Sequence, residues 1–157
     1  DLPRAGRFDP AKARALNVPV PAWKLLQRGQ SIPLESGAVV APADVLGPAR
    51  RGLRFVFSGD TAPCPALEQA AQNADLFLCD ATYPDNEQEA QAKQWGHSTF
   101  AQGAAIAKKA DVRRFWLMHY SPMILEAALP NAQAVFPAAE CGFDGKQIIL
   151  QYDEEAT

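Results

Sequence analysis

Leu53-Arg54-Phe55-Val56-Phe57-Ser58-Gly59-Asp60-Thr61 is the stretch on which the fold turns. Its first five residues are apolar, β-branched or aromatic apart from Arg54, the composition of a buried strand. The strand stops at Ser58-Gly59 and hands over to Asp60, a residue with no packing role there. Two further segments repeat the design. Asp75-Leu76-Phe77-Leu78-Cys79 ends in Asp80, and Arg113-Arg114-Phe115-Trp116-Leu117-Met118 ends in His119. One such residue alone reads as an ordinary strand-end turn. Three strands, each ending in a metal-capable or acid/base side chain, predict one shared site, because open α/β sheets bind ligands beyond the carboxyl ends of their strands.

Outward from these strands, the order is strand, helix, strand, helices, strand, helix and hairpin, an α/β layered pattern. Pro63 and Pro65 open a helix that Ala66–Ala74 carries. Glu87–Gln94 reads as a polar helix. Thr99 and Gln102 have capping-box spacing before a helix with a face of small residues. Ile124–Phe136 is helical on either side of Pro130, and Asp144-Gly145 is placed to turn a terminal hairpin into Gln147–Tyr152. Before Leu53, residues 1–9 read as a loop, and 10–16 and 22–28 as short helices. Residues 31–34 and 38–41 form a small hairpin, and 47–52 a basic turn. The division expected is therefore a basic leading segment with a small hairpin (1–52) and a half that carries the site (53–157).

The 157 residues suffice for one domain with a real core, and 48% hydrophobic with 21% charged residues is ordinary for a globular chain. No apolar run has the length of a membrane span, and no signal peptide opens the sequence. The first residue is Asp1 rather than Met, as in a piece of a longer protein. Three scattered cysteines (Cys64, Cys79, Cys141) make neither a disulfide framework nor a CxxC pair, which points to a reducing, cytoplasmic setting. The net charge of −3 hides an asymmetry: residues 1–54 hold nine Lys/Arg against four Asp/Glu, and the rest six against fourteen. The first segment therefore offers either a basic surface for a polyanion or a plain solvated face.

The two histidines, His97 and His119, both fall near the acidic turns. Asp60 has the two oxygens needed to bridge divalent cations, and His119 an imidazole nitrogen to ligate one. His97 precedes the helix that Thr99 caps, whose N-terminus attracts phosphate, so it is placed to give a proton to the leaving group of an anionic substrate. Asp80 is placed to hold that imidazole in one tautomer. Asp60 and His119 remain two ligands where a two-metal hydrolase takes about six to eight, water included. Cys79 is a third candidate, but strand alternation turns it toward the core.

Phe57-Ser58-Gly59-Asp60-Thr61-Ala62-Pro63-Cys64, Cys79-Asp80-Ala81-Thr82-Tyr83, Gly96-His97-Ser98-Thr99 and His119-Tyr120-Ser121-Pro122, in that order, resemble the C-terminal half of ribonuclease Z. That family is the tRNA 3′-processing endonuclease branch of the metallo-β-lactamase fold. The resemblance extends over nearly the whole chain and implies half of an αββα sandwich with a mixed sheet and flanking helices. It implies that Asp60 bridges two Zn2+ ions, with Mn2+ as the other metal expected. It makes His119 the last metal ligand and His97 the proton donor to the leaving group, with Asp80 beside it. Ser98, Thr99 and Ser121, which belong to the same motifs, become candidate substrate contacts.

The chain departs from the family at four places. Cys79-Asp80 stands for His-Glu, Ala62 and Met123-Ile124 stand where arginines are expected, and the His-x-His-x-Asp-His motif is absent. The missing ligands are expected on an N-terminal half outside this chain, which leaves the chain alone inactive. The missing cations weaken the case for a long tRNA precursor and suit a smaller phosphodiester or ester, since phosphate contacts dominate nucleic-acid affinity. The leading reading is the C-terminal part of a ribonuclease Z-like zinc phosphodiesterase. The alternatives are a metallo-β-lactamase-fold hydrolase of a smaller phosphodiester or ester, a non-catalytic half-domain and, last, a phosphatase with Asp60 as nucleophile, for which Asp60-Thr61-Ala62 lacks the second acid two residues on. An isolated half-sandwich would bare an apolar sheet face made from Phe55, Phe57, Leu76, Leu78, Phe115 and Leu117, and would pair with its N-terminal half or with itself as a homo-oligomer.

Overall fold

The computed structural model describes residues 1–152 and divides them into two compact units, Leu2–Gly52 and the chain from Leu53 onward together with Asp1. In the first unit the order is β1 (Leu2–Arg4), α1 (Pro10–Ala15), α2 (Trp23–Gln27), β2 (Ile32–Pro33), β3 (Val39–Val40), α3 (Pro42–Val45) and β4 (Arg50–Leu53). Asp9 caps α1 by accepting from the Ala11 and Lys12 amides, and Pro10 supplies the preset φ of a first helical turn. β2 and β3 pair antiparallel, Ile32 opposite Val40, as the hairpin reading expects. β1 pairs with β4, so Arg50–Leu53 is strand rather than the turn its Gly-Pro neighbours suggest. A side chain at Gly6 would meet the Gly47 carbonyl oxygen at 1.9 Å, so only glycine fits that crossing. Ala13, Val18, Leu26, Ile32, Val40 and Val45 make a small core, with Phe8 and Trp23 packed against it.

The second unit carries a four-stranded sheet in the order β5 (Phe55–Phe57), β6 (Leu76–Asp80), β7 (Phe115–Met118), β8 (Ala139–Cys141). Between the strands run α4 (Pro65–Ala71), α5 (Glu89–Trp95), α6 (Phe100–Lys109) and α7 (Leu125–Gln133). All three pairings are parallel, so this sheet is not the mixed one expected. The terminal hairpin does not form either: Asp144-Gly145 turns, but residues 147–152 carry no strand, and the last strand is β8, added alongside β7. Parallel pairing needs a helical crossover between neighbours, and each strand pair here has one. It also sends the C-terminal ends of β5, β6 and β7 to the same edge of the sheet.

Register decides which face each residue meets. Phe77 pairs with Phe115 and Cys79 with Leu117, and all four lie on the face covered by α4, α6 and α7, in a core with Leu67, Ala104, Ala107 and Ala132. Gly103 lets α6 approach: a Cβ there would lie 3.3 Å from the Phe115 ring and 3.5 Å from both the Asp80 carbonyl and Cys79 Sγ. Phe55 pairs with Leu76 and Phe57 with Leu78 on the opposite face. The expected apolar face thus mixed two faces, because Phe115 and Leu117 belong to the helix-covered one. On the other face Phe55 is 52% and Phe57 58% exposed, whereas Leu76 and Trp116 are buried. The Lys146 ammonium sits 4.3 Å from the Trp116 ring centroid and covers it.

Candidate active site

Asp80, the last residue of β6, is fully buried, and a buried carboxylate is stable only when its lone pairs are met. They are met by five donors. Oδ1 accepts from the Thr82 amide (3.0 Å), the Thr82 hydroxyl (2.9 Å) and the Ser98 amide (3.3 Å). Oδ2 accepts from the Thr61 amide at 3.2 Å and lies 2.7 Å from His97 Nδ1. The Asp80 amide in turn donates to Ser58 Oγ (2.9 Å), which ties the end of β6 to the turn after β5. The loops after β5 and β6 and the one before α6 therefore converge on one carboxylate.

His97 follows the left-handed Gly96 that ends α5, and its side chain is 20% exposed. With Nδ1 facing Asp80, its Nε2 is the nitrogen left for chemistry. His119 stands just past β7 with φ +61°, a left-handed conformation that costs a non-glycine residue about 1–2 kcal/mol. Its ring stacks on that of His97, 5.1 Å between centroids and 17° between planes. His119 Nδ1 lies 2.8 Å from Thr82 Oγ1, and Nε2 lies 3.5 Å from Asp60 Oδ2. Asp60 follows Gly59, whose φ of +62° makes the sharp exit from β5. The two side chains of this pair are 45% and 58% exposed, so as a plain ion pair it is worth little.

The three residues expected at the strand ends, Asp60, Asp80 and His119, thus come to one place with His97. Ligand atoms of Asp80, His97 and His119 lie within 4.8 Å of one another, a metal-capable cluster. The donor chemistry divides it. Asp80 already has five donors and cannot take a cation without breaking a buried contact, whereas His97, with Nδ1 committed to Asp80, keeps only its Nε2 for a proton or a ligand. Asp60 and His119 fit a metal, as an open edge with an exposed carboxylate and a free imidazole nitrogen. Cys79 does not: its side chain is fully buried in the helix-covered core, and burial pushes its thiol up to about 12.

Three expectations about substrate contact change. Ser98 and Thr99 are fully buried. The Ser98 hydroxyl donates to the Thr61 carbonyl at 2.7 Å, and Thr99 Oγ1 accepts from the Gln102 amide at 3.1 Å to cap α6. Both are structural groups here. The N-terminus of α6 is no phosphate cradle either, since the Phe100 amide donates to the Tyr83 carbonyl and the Gln102 amide to Thr99. Ser121 alone of the three is exposed, and its side chain caps nothing. Thr82, Thr61 and Ser58 had no assigned role from sequence. Asp80-Ala81-Thr82 carried a readable signal, because a side-chain oxygen meeting a donor two residues on is ordinary turn chemistry.

Beside His119, on the face away from the helices, lies a cavity of about 530 Å³ whose wall includes Leu78, Trp116, Met118, Phe143 and Lys146.

A parallel sheet with helices on one face, and a His/Asp cluster at the strand ends, places the chain in a recognisable class: it belongs to the beta-lactamase superfamily domain family, whose profile matches residues 14–120. Within that class its relatives are ribonucleases Z. That of Lachnospira eligens is 36% identical over 156 residues, 98% of this chain and 51% of that protein. That of Myxococcus xanthus is 49% identical over 119 residues, 75% of this chain and 38% of that protein. Human tRNase Z, short form, has the same fold, with a TM-score of 0.50 and 23% identity over 73% of this chain and 37% of that one. The chain spans about half the length of the curated relatives it matches. The fold is thus α/β and of the metallo-β-lactamase type, as the four motifs imply.

Proposed function

We propose that the chain is the part of a ribonuclease Z-type phosphodiesterase that carries the leaving-group acid and one edge of the metal centre. The observation that carries this reading is the 2.7 Å contact between buried Asp80 and His97 Nδ1, with the Asp60–His119 pair alongside. Asp60 and His119 would hold metal, a zinc pair in this reading, with the remaining ligands on an N-terminal half. A metal centre there supplies charge neutralisation at the phosphate and acidifies water. His97 does the rest of the work assigned to this chain. Asp80 fixes its orientation through Nδ1, and Nε2 gives a proton to the departing 3′ oxygen, a contribution of about 10²–10⁴ in rate. Ser121, which is exposed, is the hydroxyl assigned to substrate contact in this reading.

The substrate in this reading is a tRNA 3′ precursor, with the basic segment before Leu53 as its backbone contact. A smaller phosphodiester is the second reading, favoured by Ala62 and the 95%-exposed Met123 where the resemblance expects arginines. Exposed Phe55 and Phe57 support docking of the N-terminal half, or of a second copy in its absence. Among the described residues no helix is long and apolar enough to cross a membrane, and all three cysteines are free, which supports a cytoplasmic setting. The test is to co-express this chain with an N-terminal segment of a relative and assay metal content and cleavage of pre-tRNA and of a bis-aryl phosphodiester. Metal with pre-tRNA cleavage is expected. Metal with cleavage of the small ester alone selects the second reading, and neither activity sinks both.

A further inference from the structure

The Thr82 hydroxyl has one hydrogen and four polar neighbours: Asp80 Oδ1 at 2.9 Å, His119 Nδ1 at 2.8 Å, and the His119 carbonyl oxygen and His97 Nδ1 at 3.2 Å each. Those distances leave a small proton puzzle with one consistent solution. Asp80 meets only donors at its other contacts, three of them backbone amides that cannot reverse. It is therefore an acceptor throughout, and His97 Nδ1 at 2.7 Å must present a hydrogen to it. By the same argument the Thr82 hydroxyl must point its hydrogen at Asp80 Oδ1, since two bare oxygens 2.9 Å apart would repel. Its hydrogen is then spent. His119 Nδ1, at 2.8 Å, can be held only by donating its own hydrogen to the Thr82 lone pair.

We propose that Thr82 is a positioning residue that fixes the tautomer of His119, so that one buried carboxylate orients both histidines, His97 directly and His119 through the threonine hydroxyl. The chain of donors runs His119 Nδ1–H to Thr82 Oγ1, Thr82 O–H to Asp80 Oδ1, and His97 Nδ1–H to Asp80 Oδ2. In their neutral forms both rings then turn Nε2 to the site, that of His97 to take up the proton it later gives to the leaving group and that of His119 toward Asp60. A ligating imidazole whose second nitrogen is so engaged is held in one orientation, and loss of such a partner typically costs about 10–100-fold in metal affinity.

The proposal takes from the functional reading only that His119 Nε2 faces a metal, and the tautomer is read with metal removed, so the two can fail separately. The experiment is long-range ¹H–¹⁵N correlation on the chelator-treated chain at a pH where both rings are neutral. Two histidines give two ring patterns, told apart with His97→Ala. His119 is expected to carry its hydrogen on Nδ1 in the unsubstituted chain and in Thr82→Ser. Thr82→Val, which keeps the shape and loses the hydroxyl, is expected to shift His119 toward the Nε2–H form while His97 keeps its Nδ1 hydrogen. In the assembled protein the same valine is expected to weaken zinc binding about 10–100-fold, with serine restoring it. A His119 ring protonated on Nε2 in the unsubstituted chain overturns the proposal, whether or not the variants fold. So does a Thr82→Val spectrum identical to the parent's.

Discussion

Asp60 and Asp80 both close a parallel strand at the same edge of the sheet, and they live in opposite worlds. Asp80 is sealed and met by five donors, whereas Asp60 is 58% exposed and faces one histidine at 3.5 Å. A carboxylate can be buried only if its surroundings are finished, because an incomplete set of partners would leave a charge uncompensated. The Asp80–His97 side is therefore complete within this chain. The Asp60–His119 side is open, with room for what the chain does not itself bring.

The largest effect that could break this contrast is on turnover. His97→Ala in the assembled protein is expected to slow cleavage of a phosphodiester with a poor leaving group by about two to four orders of magnitude and to leave metal content unchanged. His119→Ala should lose metal as well as activity. If His97→Ala strips the metal, the division between an acid side and a metal side is wrong. Next comes stability. Asp80→Ala leaves the Thr61, Thr82 and Ser98 amides without their acceptor and should cost about 3–5 kcal/mol in urea denaturation. Asp60→Ala, at the surface, should stay within about 0.5 kcal/mol. Equal losses would erase the distinction.

Metal binding by the isolated chain sharpens the same point. With two ligands assured, calorimetry should find no zinc site tighter than about 1 μM, since closed zinc sites take four ligands. The smallest effect concerns Cys79, which stands where the resemblance expects a histidine. Burial raises its thiol from about 9 to about 12. Raised in the folded state, it adds stability that is whole below pH 9 and is lost as pH climbs toward 12. In the native chain at pH 8 it should resist alkylation, and it should react once urea is added. Rapid labelling in the native state would put Cys79 at the site after all.

Much of this was legible because apolar runs and their terminators coincide: the apolar part of the segment that ends in His119, Phe115–Met118, is strand throughout, and Thr99 caps α6 as its spacing with Gln102 says. β8 was hidden. Ala139-Glu140-Cys141 has no β-branched residue and becomes a strand by pairing with β7, a tertiary effect that outweighs propensity. The faces were hidden for a related reason, since Phe115 and Leu117 can be assigned a side only through their register with Phe77 and Cys79. In the site, residue types named the participants, but exposure assigned their duties. Nothing in His97-Ser98-Thr99 as letters says that two of the three hydrogen-bonding side chains are spent inside the fold.

The strand order of the second unit is also its order along the chain. A sheet built that way can grow at one edge, each new strand docking on the one just made, with no earlier strand waiting for a distant partner. Each closure joins a strand to the next one made, which favours stepwise assembly as the chain leaves the ribosome. Asp60, Asp80, His97 and His119 have all emerged by the end of β7, so the hydrogen-bonded cluster can set before β8 and α7 arrive to seal the core beneath it. Pulse-labelled hydrogen exchange during refolding should then protect the amides of β6 no later than those of β8. Earlier protection of β8 would mean that the edge forms first and the loops bearing the His/Asp cluster are fitted to it afterwards.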